Sequence, residues 1–108
     1  MNSNSFGLLT SDLNFLIQLF QKFPSIQEVH IFGSRAKGNF KNGSDVDLSI
    51  KGEQITFEEI NQLDNELNEI SNLPYRFDIV HYEKTQSAEL KEHIDRVGKV
   101  IFRGNLNT

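Results

Sequence analysis

The sequence predicts one small domain of mixed α/β (α+β) class, a small mixed β-sheet flanked by helices. Three observations lead there. The chain has 108 residues, the length of a single hydrophobic core. Helix-spaced apolar stretches alternate with short strand-like runs in the order α-β-α-β-α-β-α-β. An Asn42-Gly43 turn signal lies between the first two strands and speaks against a purely parallel sheet.

Each element has a local cause. Ser11 or Thr10 can cap a first helix, and Leu13, Leu16, Ile17, Phe20 and Phe23 follow at helical spacing until Pro24 stops it. Residues 28–32 (Glu-Val-His-Ile-Phe) read as a short strand ending at Gly33, and Ser34 to Lys37 as one helical turn or a compact loop. In the second strand, Asp45 to Ile50, the residues Val46, Leu48 and Ile50 take one face and Asp45, Asp47 and Ser49 the other. Thr56-Phe57-Glu58-Glu59 is a capping box, opening a helix that carries Phe57, Ile60, Leu63, Leu67 and Ile70 and closes near Asn72 and Pro74. Arg76 to His81 reads as a third strand. Thr85 or Ser87 starts a last helix through Leu90 and Ile94 to Gly98, and Val100 to Phe102 adds a final strand. The single domain spans 1–108, with residues 1–9 and 104–108 expected to be loosely ordered.

Composition excludes several classes of function. There is no cysteine, so disulfides, thiolate metal sites and cysteine nucleophiles are out. The net charge of −4 argues against nucleic-acid binding through bulk charge. No apolar run approaches the ~18 residues of a membrane span, and Met1 to Ser5 is no signal peptide, so a cytoplasmic protein is expected. The nine phenylalanines are read mainly as core, a surplus exposed one marking a partner surface.

The chemistry lies in Gly33-Ser34-Arg35-Ala36-Lys37-Gly38 and Gly43-Ser44-Asp45-Val46-Asp47-Leu48. Carboxylates two apart on a strand point the same way, ~6–7 Å apart, and facing a concave site they can hold divalent cations. Magnesium favours a few carboxylates plus substrate phosphates, so the pair implies a phosphate-bearing ligand. Gly33 allows a sharp turn and close backbone approach, Ser34 offers a hydroxyl, and Arg35 and Lys37 offer cationic donors. Asp78, between apolar Phe77 and Ile79, has the opposite strand face and is placed to meet Asp45 and Asp47 from the next strand. An EF-hand is excluded because Ile50 and Thr56 stand where its Gly and Glu would be, and no Gly-Lys-Ser/Thr makes a Walker loop.

Gly-Ser, ten intervening residues, Asp-x-Asp and a further Asp on a later strand make a pattern that resembles the nucleotidyltransferase superfamily of DNA polymerase beta, most of all its minimal nucleotidyltransferases. The resemblance runs from the first helix to the last strand, with Lys37 where Arg is common. It implies a nucleotidyltransferase fold in which Asp45, Asp47 and Asp78 are catalytic and hold two Mg²⁺ ions, while Gly33, Ser34, Arg35, Lys37 and Ser44 bind the nucleotide, ATP. It also implies an antitoxin that transfers AMP to a tyrosine hydroxyl of a HEPN ribonuclease toxin, its partner, with no direct contact to nucleic acid or membrane. A transferase acting on an aminoglycoside-type small molecule and a non-catalytic antitoxin that occludes its partner are the alternatives. His81 or Tyr82 can stack on adenine or simply end a strand. His30 is read as a surface or packed histidine, His93 as solvated, and the acids from Glu53 to Glu69 as a polar helix face.

Overall fold

Alternation in the strands and a 3.6-residue period in the helices put one apolar surface on each element, and the fold buries those surfaces together. The structure, a computed structural model, describes residues 6–41 and 43–104. In chain order the elements are α1 (Thr10–Gln21), β1 (Glu28–Phe32), α2 (Gly33–Lys37), β2 (Val46–Lys51), α3 (Phe57–Asn65), a π-turn (Glu66–Ile70), β3 (Phe77–His81), a 3-10 turn (Tyr82–Lys84), α4 (Ala88–Val97) and β4 (Lys99–Arg103). The strands form one sheet in the order β3-β2-β1-β4. β1 pairs antiparallel with β2 and β4, while β2 and β3 run parallel. The mixed sheet expected from the sequence is therefore present.

One face of the sheet carries Val29, Ile31, Val46, Leu48, Ile50, Phe77 and Phe102, all buried, which join Leu16, Leu19 and Phe20 of α1 and Leu63 of α3 in the core. The other face carries His30, Phe32, Asp47, Ser49 and Asp78, where the His93 ring of α4 meets Phe32 edge-on at 6.0 Å. His93 is half-buried there rather than solvated. Among the described residues no helix is long and apolar enough to cross a membrane.

Several local expectations hold and others need correction. The Thr56 capping box is complete: Thr56 Oγ1 accepts from the Glu59 amide, and the Glu59 carboxylate accepts from the Thr56 amide. Ser87 caps α4 by accepting from the Leu90 amide. Neither Thr10 nor Ser11 caps α1; Leu9 is its N-cap and no side chain caps it. Part of the segment expected to be loose is tied down instead. Leu8 is fully buried, Phe6 accepts a hydrogen bond from Arg35, and the Gly104 amide donates to the Gln27 carbonyl. Residues 1–5 and 105–108, also expected to be loose, lie outside the described residues, as does Asn42 of the expected turn; Gly43 beside it has φ +83°. Phe57 and Ile70, expected on the buried stripe of one helix, are 77% and 58% exposed. Phe57 stands at the very start of α3, and Ile70 is the last residue of the π-turn, whose wider turn shifts the helical phase so the apolar stripe no longer continues.

Candidate active site

The site stands where β1 ends and β2 and β3 run side by side. Gly33 opens α2 directly after β1, with φ +73°. Only glycine takes that conformation without strain, and a Cβ at this position would also run into the Asp47 carboxylate. The glycine therefore lets the corner and the acid lie against each other. Ser34 is half-buried in the first turn of α2, whose leading amides have no acceptor inside the helix. Lys37 is exposed at the other end of α2, before Gly38 closes it in the left-handed conformation.

Asp47 is opposite Asp78 in the parallel register and opposite Phe32 in the antiparallel one. Adjacent strands lie ~5 Å apart, so two same-facing acids at paired positions meet. The Asp47 and Asp78 carboxyl groups are near enough for the charge of one to act on the other. Partial burial first, then the charges of Asp78 and Asp45, push the Asp47 carboxyl up to about 6. Asp45 stands in the exposed loop just before β2 and acts on Asp47 through its charge. Asp47 and Asp78 are thus register partners on one face of the sheet, and Asp45 precedes the strand. Among the described residues no group of three or more His, Cys, Asp or Glu side chains is gathered as a ready metal site. The donor set nonetheless suits a hard divalent cation. It consists of carboxylate oxygens whose charges act on one another, beside a glycine corner against which the Asp47 carboxylate lies.

Arg35 is placed elsewhere than a phosphate-binding cation would be. The residue is 2% exposed, and its guanidinium turns inward. Nε and Nη2 donate to the Ser44 carbonyl at 3.2 and 2.9 Å, and Nη1 donates to the Phe6 carbonyl at 2.8 Å. The rings of Phe40 and Tyr75 cover it at 4.9 and 5.2 Å. Arg35 therefore clasps the loop that leads into Asp45. Ser44 belongs to that loop: its carbonyl takes the guanidinium, and its hydroxyl accepts from the Lys41 amide at 2.8 Å. No local pattern in the sequence announces this clasp, since its partners lie 9 and 29 residues away.

The groups considered for adenine have partners of their own. The His81 ring is bonded to the Gly52 carbonyl at 2.9 Å, and the Tyr82 hydroxyl donates to Asp95 at 2.8 Å. A hollow of about 780 Å³ lined by Phe20, Phe23, Gln27 and Phe102 lies at the far end of β1 and carries no carboxylate.

Solved structures show the same fold. A toxin–antitoxin complex with AMP-PNP is 24% identical with a TM-score of 0.71, covering 88% of this chain and 75% of that one. The toxin–antitoxin MntA-HepT is 21% identical with a TM-score of 0.66, covering 89% and 73%. A third, the tri-AMPylated Shewanella oneidensis HEPN toxin in complex with MNT antitoxin, is 21% identical with a TM-score of 0.65, covering 89% and 72%. No curated protein sequence matches the chain. The family described as "Polymerase beta, Nucleotidyltransferase" matches residues 14–106, nearly the whole chain, and the chain belongs to that nucleotidyltransferase family.

Proposed function

We propose that this chain is the antitoxin of a HEPN toxin–antitoxin pair and acts in the cytoplasm as a protein adenylyltransferase, moving AMP from ATP to a tyrosine hydroxyl of its partner. The observation that carries the reading is the in-register Asp47–Asp78 pair beneath the Gly33 corner. Support comes from similar folds found in toxin–antitoxin complexes, one with AMP-PNP and one with an AMPylated toxin.

Asp45, Asp47 and Asp78 would hold Mg²⁺. When bound, the metal neutralises the triphosphate and makes the acceptor hydroxyl more acidic. The rest falls to the chain. Ser34 and the amides of the Gly33–Ser34 corner hold the β- and γ-phosphates, with Lys37 as an exposed cation nearby. Gly33 lets the phosphates approach the backbone. The tyrosine oxygen attacks the α-phosphorus, the bond to the bridging oxygen of the β-phosphate breaks, and pyrophosphate leaves. Asp78, on the exposed rim, faces the acceptor and takes up the hydroxyl proton. The Arg35 clasp keeps the Asp45 loop in place without touching substrate.

The test is incubation with α-labelled ATP, Mg²⁺ and the co-encoded partner or candidate small molecules. Label on the partner band, lost in an Asp45→Asn/Asp47→Asn double variant together with neutralisation of the toxin, is the expected result. Label on an aminoglycoside instead would make the chain a small-molecule transferase. Neutralisation that survives the double substitution would make it an occluding antitoxin.

A further inference from the structure

β3 is the sheet's edge strand on the side of the candidate site. Its inner side pairs with β2, and its outer side has no neighbouring strand among the described residues. Such an edge frays unless something covers it. At Phe77 the polypeptide itself covers it. In the π-turn after α3, Asn68 turns its carboxamide onto Phe77. Its Nδ2 donates to the Phe77 carbonyl at 2.9 Å, and its Oδ1 accepts from the Phe77 amide at 2.8 Å. A carboxamide offers a donor and an acceptor side by side, as a peptide unit does. Asn68 thus supplies to Phe77 the two bonds that a missing strand would supply. Asp64, one turn earlier, orients the carboxamide by accepting from Nδ2 at 2.6 Å.

Phe77 is now held on every side. Its ring is buried in the core, its register partner is Val46, and its outer backbone is clasped. The next residue is Asp78, on the opposite face and level with Asp47. We infer that Asn68 is a positioning residue that fixes the edge strand so that Asp78 stays level with Asp47 and the two can share a divalent cation. The inference rests on the reading of Asp78 as a metal-holding carboxylate.

The test is a double-mutant cycle on the full chain with Mn²⁺ as the probe, in the presence of AMP-PNP, read from the paramagnetic signal of free Mn²⁺. Asn68→Ala is expected to weaken Mn²⁺ binding about 10-fold, in the range seen when partners of metal ligands are removed. In an Asp78→Asn background the same substitution is expected to cost nothing further, because the residue it acts through is already gone. Equal losses in both backgrounds, or none in either, would overturn the inference. Asp78→Asn binding Mn²⁺ as tightly as the wild type would instead overturn the reading of Asp78, and the inference with it. Should Asn68→Ala fail to fold, Asp64→Ala leaves both bonds from Asn68 to Phe77 possible and removes only the acceptor that orients the carboxamide. It is expected to weaken Mn²⁺ binding by a smaller factor, and unchanged binding would overturn the inference. Faster amide exchange at Asp78 in either folded variant is the expected metal-free signature.

Discussion

The two faces of the sheet are made by alternate residues of the same strands, yet they do opposite work. On one face Val46, Leu48 and Ile50 are fully buried against helices and contribute to holding the fold. On the other, the charges of Asp47 and Asp78 oppose each other at the rim, while buried Ser49 and half-buried His30 have polar atoms, Oγ and Nδ1, without a hydrogen-bond partner among the described residues. His30 and Ser49 are paired across β1 and β2, one step along the sheet from Asp47. The apolar face carries stability, and the polar face gives some of it up for chemistry. A β-strand achieves this with single-residue resolution because successive side chains point to opposite sides.

The sharpest break in this comparison is Asp47→Asn. Transfer to the partner is expected to fall about 10³-fold, roughly 4 kcal/mol of barrier. Stability should move the other way. The folded Asp47 sits at about 6 against 3.8 for the free group, so the folded state keeps its proton longer than the unfolded chain. Stability from this residue is therefore lost as pH rises from the unfolded value through the folded one, and at neutral pH the ionised group destabilises the fold. Solvent screening at the rim reduces the effect to about 1 kcal/mol. A thermal melt at pH 7 with a higher midpoint for Asp47→Asn is the expected outcome, and a lower midpoint would contradict it.

Leu48→Ala, the neighbour on the other face, is the mirror experiment. Emptying a fully buried leucine site costs about 3 kcal/mol, read as a lower denaturant midpoint, while label transfer per folded molecule stays near the wild-type value. A selective loss of activity would mean that the faces are not separable. Arg35→Lys comes next. It keeps the charge but loses the forked bonds to Ser44 and Phe6 and the stacking between two rings, so about 2 kcal/mol of stability should go. Wild-type stability would show that the clasp does not hold the loop.

The smallest effect belongs to His30. Burial first, with Lys51 and Arg103 adding, holds its imidazole below the usual 6.5, against the opposing charges of Glu28 and Asp95. The folded state therefore binds its proton less readily than the unfolded chain. The stability present above the unfolded value should be lost as pH falls through it toward the folded one. Melts of the wild type and His30→Phe between about pH 5.5 and 7.5 should differ in slope, with the variant flatter. Parallel slopes would show His30 to be solvated.

Much of this was readable from residues alone. The β1 limits, the Thr56 capping box and the Ser87 cap follow from local patterns, and each is present. The glycine–serine corner and the three acids were named from spacing, which also carried the family resemblance. What escaped is non-local. Arg35 in a motif next to Ser34 reads as a phosphate donor, yet its partners reach it from two other stretches of chain. The π-turn hides within a helical pattern because the widened turn leaves no compositional mark, so the helical period alone puts Ile70 on the buried stripe. Asn68 carried a faint signal, a poor helix former among helix-spaced apolar residues near the end of the run.

By itself the sequence determined which side chains share a strand face, since alternation is a property of the backbone and needs no partner. Val46, Leu48 and Ile50 were bound to lie together, and Asp47 and Ser49 opposite them. That Asp78 comes to stand level with Asp47 was decided only by the tertiary structure. Parallel pairing of β2 and β3 is a contest among registers, settled by Phe77 entering the core and by Asn68 closing the edge. Those contacts join residues distant in the chain, and a shift of one position would have turned Asp78 to the wrong side.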